Sequence, residues 1–251
     1  MAEKNEFLAR FPNANPWRRL PANPPFVLPE EKAQVEAFND KMRSAGHEHL
    51  LNINLIPAPF VGAPDAPVVF LGNIAGAGEQ TFKEYERHPS YASRLRKNLL
   101  HENEEFPFIV MDPRPETLRS DKEWWSVRLK HLLDSFGNGV KADSILARVL
   151  MTIEYFPYRS LSDDYQHESL SLPSQEYCRL LVMNAMKNEA VIVIRYGRSR
   201  WFDAVRGLKN YSHLLLLKEG RKVHISPNGF VDPNGYQRVV DKIRTWLAQA
   251  V

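Results

Sequence analysis

The chain has 251 residues, 43% apolar and 25% charged, which suits one globular domain whose core needs no disulfide or metal staple. Its one cysteine, Cys178, excludes an internal disulfide, a multi-cysteine zinc site and a four-cysteine iron–sulfur cluster; set among Tyr177, Leu180 and Leu181, it reads as a small buried residue. The net charge of +3 permits nucleic-acid binding without arguing for it, and no run is apolar for long enough to predict a signal peptide or a membrane span, so a cytoplasmic protein is expected.

Residues 11–30 hold six prolines, from Pro12 to Pro29. Proline removes a backbone donor and pushes its predecessor toward extended geometry, so residues 1–30 are expected to form an arm lying on the surface. A single domain, residues 31–251, follows. Its first helix is expected from about Glu30 to Ala45, with Val35, Phe38 and Met42 on one face and Gly46 closing it. PVVFLG (67–72) reads as a buried strand before a Gly-rich turn, and FPFIVM (106–111) as another strand. Residues 121–136 read as a helix capped by Asp121, with Trp125, Leu129, Leu132, Leu133 and Phe136 on its apolar face. RVLMTIE (148–154) reads as a strand, Ser174 to Lys187 as a helix capped by Ser174, and AVIVIR (190–195) as the central strand. HLLLLK (213–218) is a further strand, followed by a turn at Glu219-Gly220. The last helix runs from Asp232-Pro233 to about Ala248, with Tyr236, Val239, Val240, Ile243 and Leu247 inward.

Strand–helix alternation predicts an α/β fold: a mostly parallel central sheet with helices on both faces, a three-layer α/β/α sandwich. Ligands of such sheets bind at the carboxyl ends of the strands, which selects the loops 73–80, 155–160, 196–201 and 224–230. In the first, Gly72, Gly76 and Gly78 let backbone approach a ligand closely, but the spacing is neither a dinucleotide fingerprint nor a Walker loop. A tight structural turn is the competing reading. In the second, Glu154 is followed by Tyr155, Phe156, Pro157 and Tyr158, a rim able to stack a planar base or to pack into the core. The third holds Arg195, Arg198 and Arg200 within six residues, suited to phosphate contact or to pairing with nearby acids. In the fourth, His224 before Ser226-Pro227 is a candidate electrophile or general acid, against a structural histidine. His47 and His49 lack partners for a metal, and neither a metal nor another cofactor is expected.

Together these segments resemble the uracil-DNA glycosylase superfamily over roughly residues 50–245. Members carry a Gly-x-Asn/Asp-Pro or Gly-Glu-Ala-Pro-Gly motif after the first core strand, and a His-Pro-Ser-Pro motif near the C-terminus. Here these read Gly72-Asn73-Ile74-Ala75-Gly76 and His224-Ile225-Ser226-Pro227. The segments PAPFVGAPDAPVVFLG, EYFPYRS, LPSQEY and IVIRYGRSRW look like those of uncharacterised bacterial members. The resemblance implies a DNA base-excision glycosylase-like protein that recognises a flipped base, with DNA or another nucleic acid as partner and no membrane. It implies catalytic roles for Asn73 and His224, and base or ligand contacts from Gly72, Gly76, Glu79, Glu154, Phe156, Tyr158, Ser226 and Asn228. Arg195, Arg198 and Arg200 would contact phosphates.

The departures bear on activity. Ile74 stands where most active families keep the Asn or Asp that handles the attacking water, Ala75 replaces the motif proline, and Asn73 is an amide rather than a base. Asn228 stands where an apolar wedge into the DNA stack is usual, with Phe230 as a substitute. Ordinary uracil excision is therefore expected to be weak or absent. The alternative is a non-catalytic nucleic-acid or nucleotide-binding module on the same fold, and a third reading is an unrelated α/β enzyme such as a nucleotide or sugar hydrolase.

Overall fold

The computed structural model describes residues 14–47, 50–76, 79–102, 104–114, 119–160, 170–218 and 224–249. Strands β1 (Leu51–Asn52) and β2 (Phe60–Gly62) are short and run antiparallel to β4. Strands β3 (Val68–Gly76), β4 (Leu150–Ser160), β5 (Val191–Ile194) and β6 (Leu214–Leu216) run parallel to one another. The order across the sheet is β1-β4-β3-β5-β6, with β2 also alongside β4. The expectation of a mixed α/β fold on a mostly parallel sheet therefore holds. Val68, Val69, Phe70 and Leu71 of β3 are each 0% exposed. Successive strand residues point to opposite faces, so both faces of the sheet are covered there.

Helices α1 (Lys32–Ser44), α2 (Glu79–Arg87), α3 (Pro89–Leu99), α4 (Arg119–Ser135) and α5 (Gly139–Val149) precede β4. Helices α6 (Gln175–Lys187), α7 (Arg198–Ala204) and α8 (Gly235–Gln249) follow it. Helix α1 matches its expected span and buries Val35, Phe38 and Met42. It ends in paired backbone bonds, Gly46 N–H to Arg43 O at 3.0 Å and His47 N–H to Met42 O at 2.9 Å. Gly46 sits at φ +72°, the left-handed turn that favours glycine. Among the described residues no helix is long and apolar enough to cross a membrane.

Several expectations change. Residues 106–111 are not a strand: Ile109–Met111 is a 3-10 turn, buried against α4 and α5. A short apolar run reads alike as a strand or a buried turn, and here no sheet edge receives it. Helix α4 opens before Asp121, and its Ser120 N–H and Oγ are held by Glu84 of α2. That cap comes from another helix, so local sequence could not show it. Ser174 does flank α6, but its side chain makes no cap bond. Strand β4 begins at Leu150 and runs on through Ser160, so the aromatic segment expected as a loop is strand. The turn at Glu219-Gly220 lies outside the described residues.

Residues 14–30 run along the surface with Arg18, Arg19, Asn23, Pro24 and Pro25 exposed, but they are anchored by side chains that reach the core. Pro16–Arg19 forms a 3-10 turn, and Trp17, Leu20, Val27 and Leu28 are buried with the core. Asn15 accepts from the Trp17 N–H at 3.0 Å and donates to Leu99 O at 2.7 Å.

Candidate ligand site

The carboxyl ends of β3, β4 and β5 open into a cavity of about 530 Å³ beside α4. Its floor comes from β4 and the residue after β5. Thr152 and Glu154, two apart on one strand, face the same way, and Thr152 Oγ1 donates to Glu154 Oε1 at 3.2 Å. Arg195 Nη2 reaches the same oxygen at 2.8 Å. The pair is enclosed, with side chains 6% exposed for Arg195 and 7% for Glu154. Glu154 Oε2 and Arg195 Nε are buried with no hydrogen-bond partner. The Arg195 guanidinium also lies 4.8 Å from the Trp125 ring and 5.6 Å from the Trp124 ring, a placement that favours the cation.

Glycine is required at position 72. A Cβ there would run into Glu154 Oε2 and would sit 2.6 Å from Arg195 Nη2. Its carbonyl accepts from Trp201 Nε1 at 2.9 Å, which ties β3 to α7. Asn73 lines the cavity and is 6% exposed, and its Oδ1 accepts from Arg200 Nη1 at 2.7 Å.

The opposite end is shaped by an irregularity in β4. Ile74 pairs with Phe156 and Gly76 with Ser160, so four steps of β4 match two of β3. Strict alternation breaks between Phe156 and Ser160, a stretch that includes Pro157, which has no N–H to give the ladder. Arg159 is thereby brought into the cavity wall, where it donates to Gly76 O at 2.9 Å and Ile56 O at 3.3 Å and lies 4.0 Å from Asp121. Burial alone would lower its pKa, but Tyr85, Asp121 and Tyr91 carry it above the usual guanidinium value. A further wall is α4, through Trp124, Trp125 and Arg128. Arg128 lies 3.4 Å over the Trp124 ring, and Trp124 is 38% exposed.

Of the residues singled out from sequence, Asn73, Gly76, Glu154 and Arg195 line this cavity, and Gly72 abuts the Glu154–Arg195 pair. The other candidates whose side chains are described lie elsewhere. Phe156 lines a separate hollow of about 350 Å³ with Ser199 and Arg200. Tyr158 is 0% exposed; its hydroxyl donates to Glu31 at 2.6 Å and accepts from Leu28 N–H at 3.0 Å. It fastens the N-terminal segment, and burial followed by the Glu31 charge pushes its pKa well up. His224 is outside the cavity, with Nδ1 3.2 Å from Val127 O. Ser226 O accepts from Gly229 N–H at 2.9 Å in a turn, and Asn228 is exposed. Phe230 is 1% exposed in the core, so it is no wedge. Arg198 donates to Leu217 O at 3.3 Å, and Arg200 is engaged with Asn73. The backbone of Glu79 opens α2, but its side chain lies outside what is described, as does Gly78.

Trp124, Trp125, Arg128, Asp121 and Arg159 were missed as site residues. A signal was present: adjacent tryptophans on one helix point about 100° apart, so both cannot join a narrow apolar stripe. Cys178 is 1% exposed and burial pushes its thiol up, which removes it as a nucleophile. Among the described residues no group of three His, Cys, Asp or Glu side chains is placed to hold a metal ion. Comparisons with protein-family models, curated proteins and solved structures give no match to this chain.

Proposed function

We propose that this chain binds a nucleobase-bearing ligand in the cavity at the carboxyl ends of β3–β5, as a recognition module on a glycosylase-like three-layer fold. The observation that carries the reading is the enclosed Glu154–Arg195 pair on the cavity floor, with one carboxylate oxygen unpartnered, beside two tryptophans. A buried acceptor without a partner costs about 1–3 kcal/mol, and a ligand N–H that draws the carboxylate from Gly72 toward the cavity recovers that cost. Indole faces suit a flat ring, and a cavity of about 530 Å³ is of ligand size. A carboxylate reads donors, so amino-bearing base edges such as those of cytosine and guanine are favoured over thymine or uracil.

Base excision draws less support. It needs a donor for charge growing on the departing base and a positioned water. His224, the residue the resemblance would use, does not line the cavity, and Ile74 cannot hold a water. Positioned acid–base help is worth roughly 10²–10⁴-fold, so its lack is visible in an assay. Release of uracil from a uracil-containing oligonucleotide is expected to stay near the level without protein.

The test is quenching of tryptophan fluorescence by nucleosides. Guanosine or cytidine is expected to quench and saturate, with about a tenfold loss in affinity on Glu154→Gln. No quenching by any nucleoside, or equal affinity in the Glu154→Gln variant, contradicts the reading.

A further inference from the structure

Among the described residues, the charges around the cavity do not balance: three arginines line it, Arg128, Arg159 and Arg195, against two carboxylates, Asp121 and Glu154. Arg195 is paired with Glu154 at 2.8 Å and Arg159 lies 4.0 Å from Asp121. Among the described residues, no carboxylate comes within ion-pair distance of Arg128. Its Nη1 donates to Trp124 O at 3.0 Å, within its own helix, and its Nε is buried with no partner. Its guanidinium rests on the same indole that Arg195 approaches, so two cations share Trp124 with only Glu154 between them in charge. Burial lowers the Arg128 pKa, and the nearby Arg195 charge adds to that while Tyr196 opposes it. Among the described residues, Arg128 is a cation held without a carboxylate partner.

Resting on the base-binding reading above, we infer that the ligand brings its own negative charge: a nucleotide whose phosphate is taken by Arg128 while its base lies toward Glu154. A single small nucleotide fits better than a nucleic-acid strand. The three arginines that could have tracked a strand are spent on protein acceptors: Arg195 on Glu154, Arg198 on Leu217 O, Arg200 on Asn73. Following a backbone takes several cations in a row, each neutralising a phosphate. A monophosphate takes one guanidinium, whose fork matches two phosphate oxygens.

Calorimetric titration of the full chain with guanosine and cytidine, their 5′-monophosphates, and a short single-stranded oligonucleotide tests this. The monophosphates are expected to bind about tenfold or more tighter than the nucleosides. Arg128→Gln is expected to cost the monophosphates about tenfold more affinity than it costs the nucleosides, and Arg128→Lys to keep part of the gain. Circular dichroism melts of both variants confirm that the fold is retained. Equal binding of nucleoside and monophosphate by the unaltered chain, or equal losses for both in Arg128→Gln, overturns the phosphate assignment and leaves the base reading standing. Tighter binding of the oligonucleotide than of the monophosphates, with a slope of log K against log salt steeper than about −2, overturns it in favour of a strand. No binding of any of these overturns the base reading and this inference together.

Discussion

Glu154 and Arg195 carry the site, and each is burdened by the other. Removing one member of a buried pair strands the partner charge, at a cost of about 3–5 kcal/mol. Glu154→Ala is therefore expected to lower stability by that amount in a denaturant melt, whereas Glu154→Gln keeps an acceptor for Arg195 and costs less. A null effect of Glu154→Ala on stability would mean that the pair is solvated rather than enclosed. Gly72→Ala acts on the same pair from the other side, because its Cβ would overlap Glu154 Oε2. It is expected to displace the carboxylate and weaken nucleoside binding at least as much as Glu154→Gln does; unchanged binding would show that the carboxylate's position is immaterial. Glycine at 72 and glutamate at 154 were legible as site residues from their place at strand ends. That they act against each other was not, because their partnership crosses 82 positions, 154 − 72, and rests on parallel pairing of Gly72 with Glu154.

Element by element, the sequence was read best where a pattern is local. The α1 span, its glycine stop and the apolar β3 and β5 cores follow from periodicity and turn chemistry. It was read worst where the deciding contact is distant. The cap of α4 is Glu84 from α2, and Tyr158 is committed to Glu31 of the N-terminal segment. The cavity wall of α4 is hidden for a related reason: Trp125 fits the apolar stripe, which obscures its neighbour Trp124. The N-terminal segment yields a prediction of its own. If residues 14–30 were a loose arm, losing Trp17 would matter little; buried at 1% exposure, Trp17→Ala is expected to cost about 3–5 kcal/mol. A change under about 0.5 kcal/mol, measured by urea unfolding, would show that Trp17 does not anchor the segment.

For the molecule as a whole, pH reports on burial. His101 is held beside Phe60, with Nε2 2.7 Å from the Tyr177 hydroxyl. Burial, and then the Arg18 charge, lower its pKa from 6.5 to about 4. Between those values the unfolded chain binds a proton that the folded chain refuses, so stability is whole above pH 6.5 and is lost as pH falls toward 4. The loss reaches up to about 3 kcal/mol. His101→Asn, which suits the φ of +55° there, is expected to flatten the stability–pH curve across that window. A curve of unchanged slope would mean that another group titrates. The central claim is that the cavity over Glu154 and Arg195, walled by Trp124 and Trp125, receives a base. The most direct measurement is a crystal structure of the chain grown with guanosine 5′-monophosphate. The account predicts the base in this cavity within hydrogen-bond reach of Glu154, its phosphate on Arg128. A nucleotide bound elsewhere, or a cavity without one at saturating concentration, would contradict it.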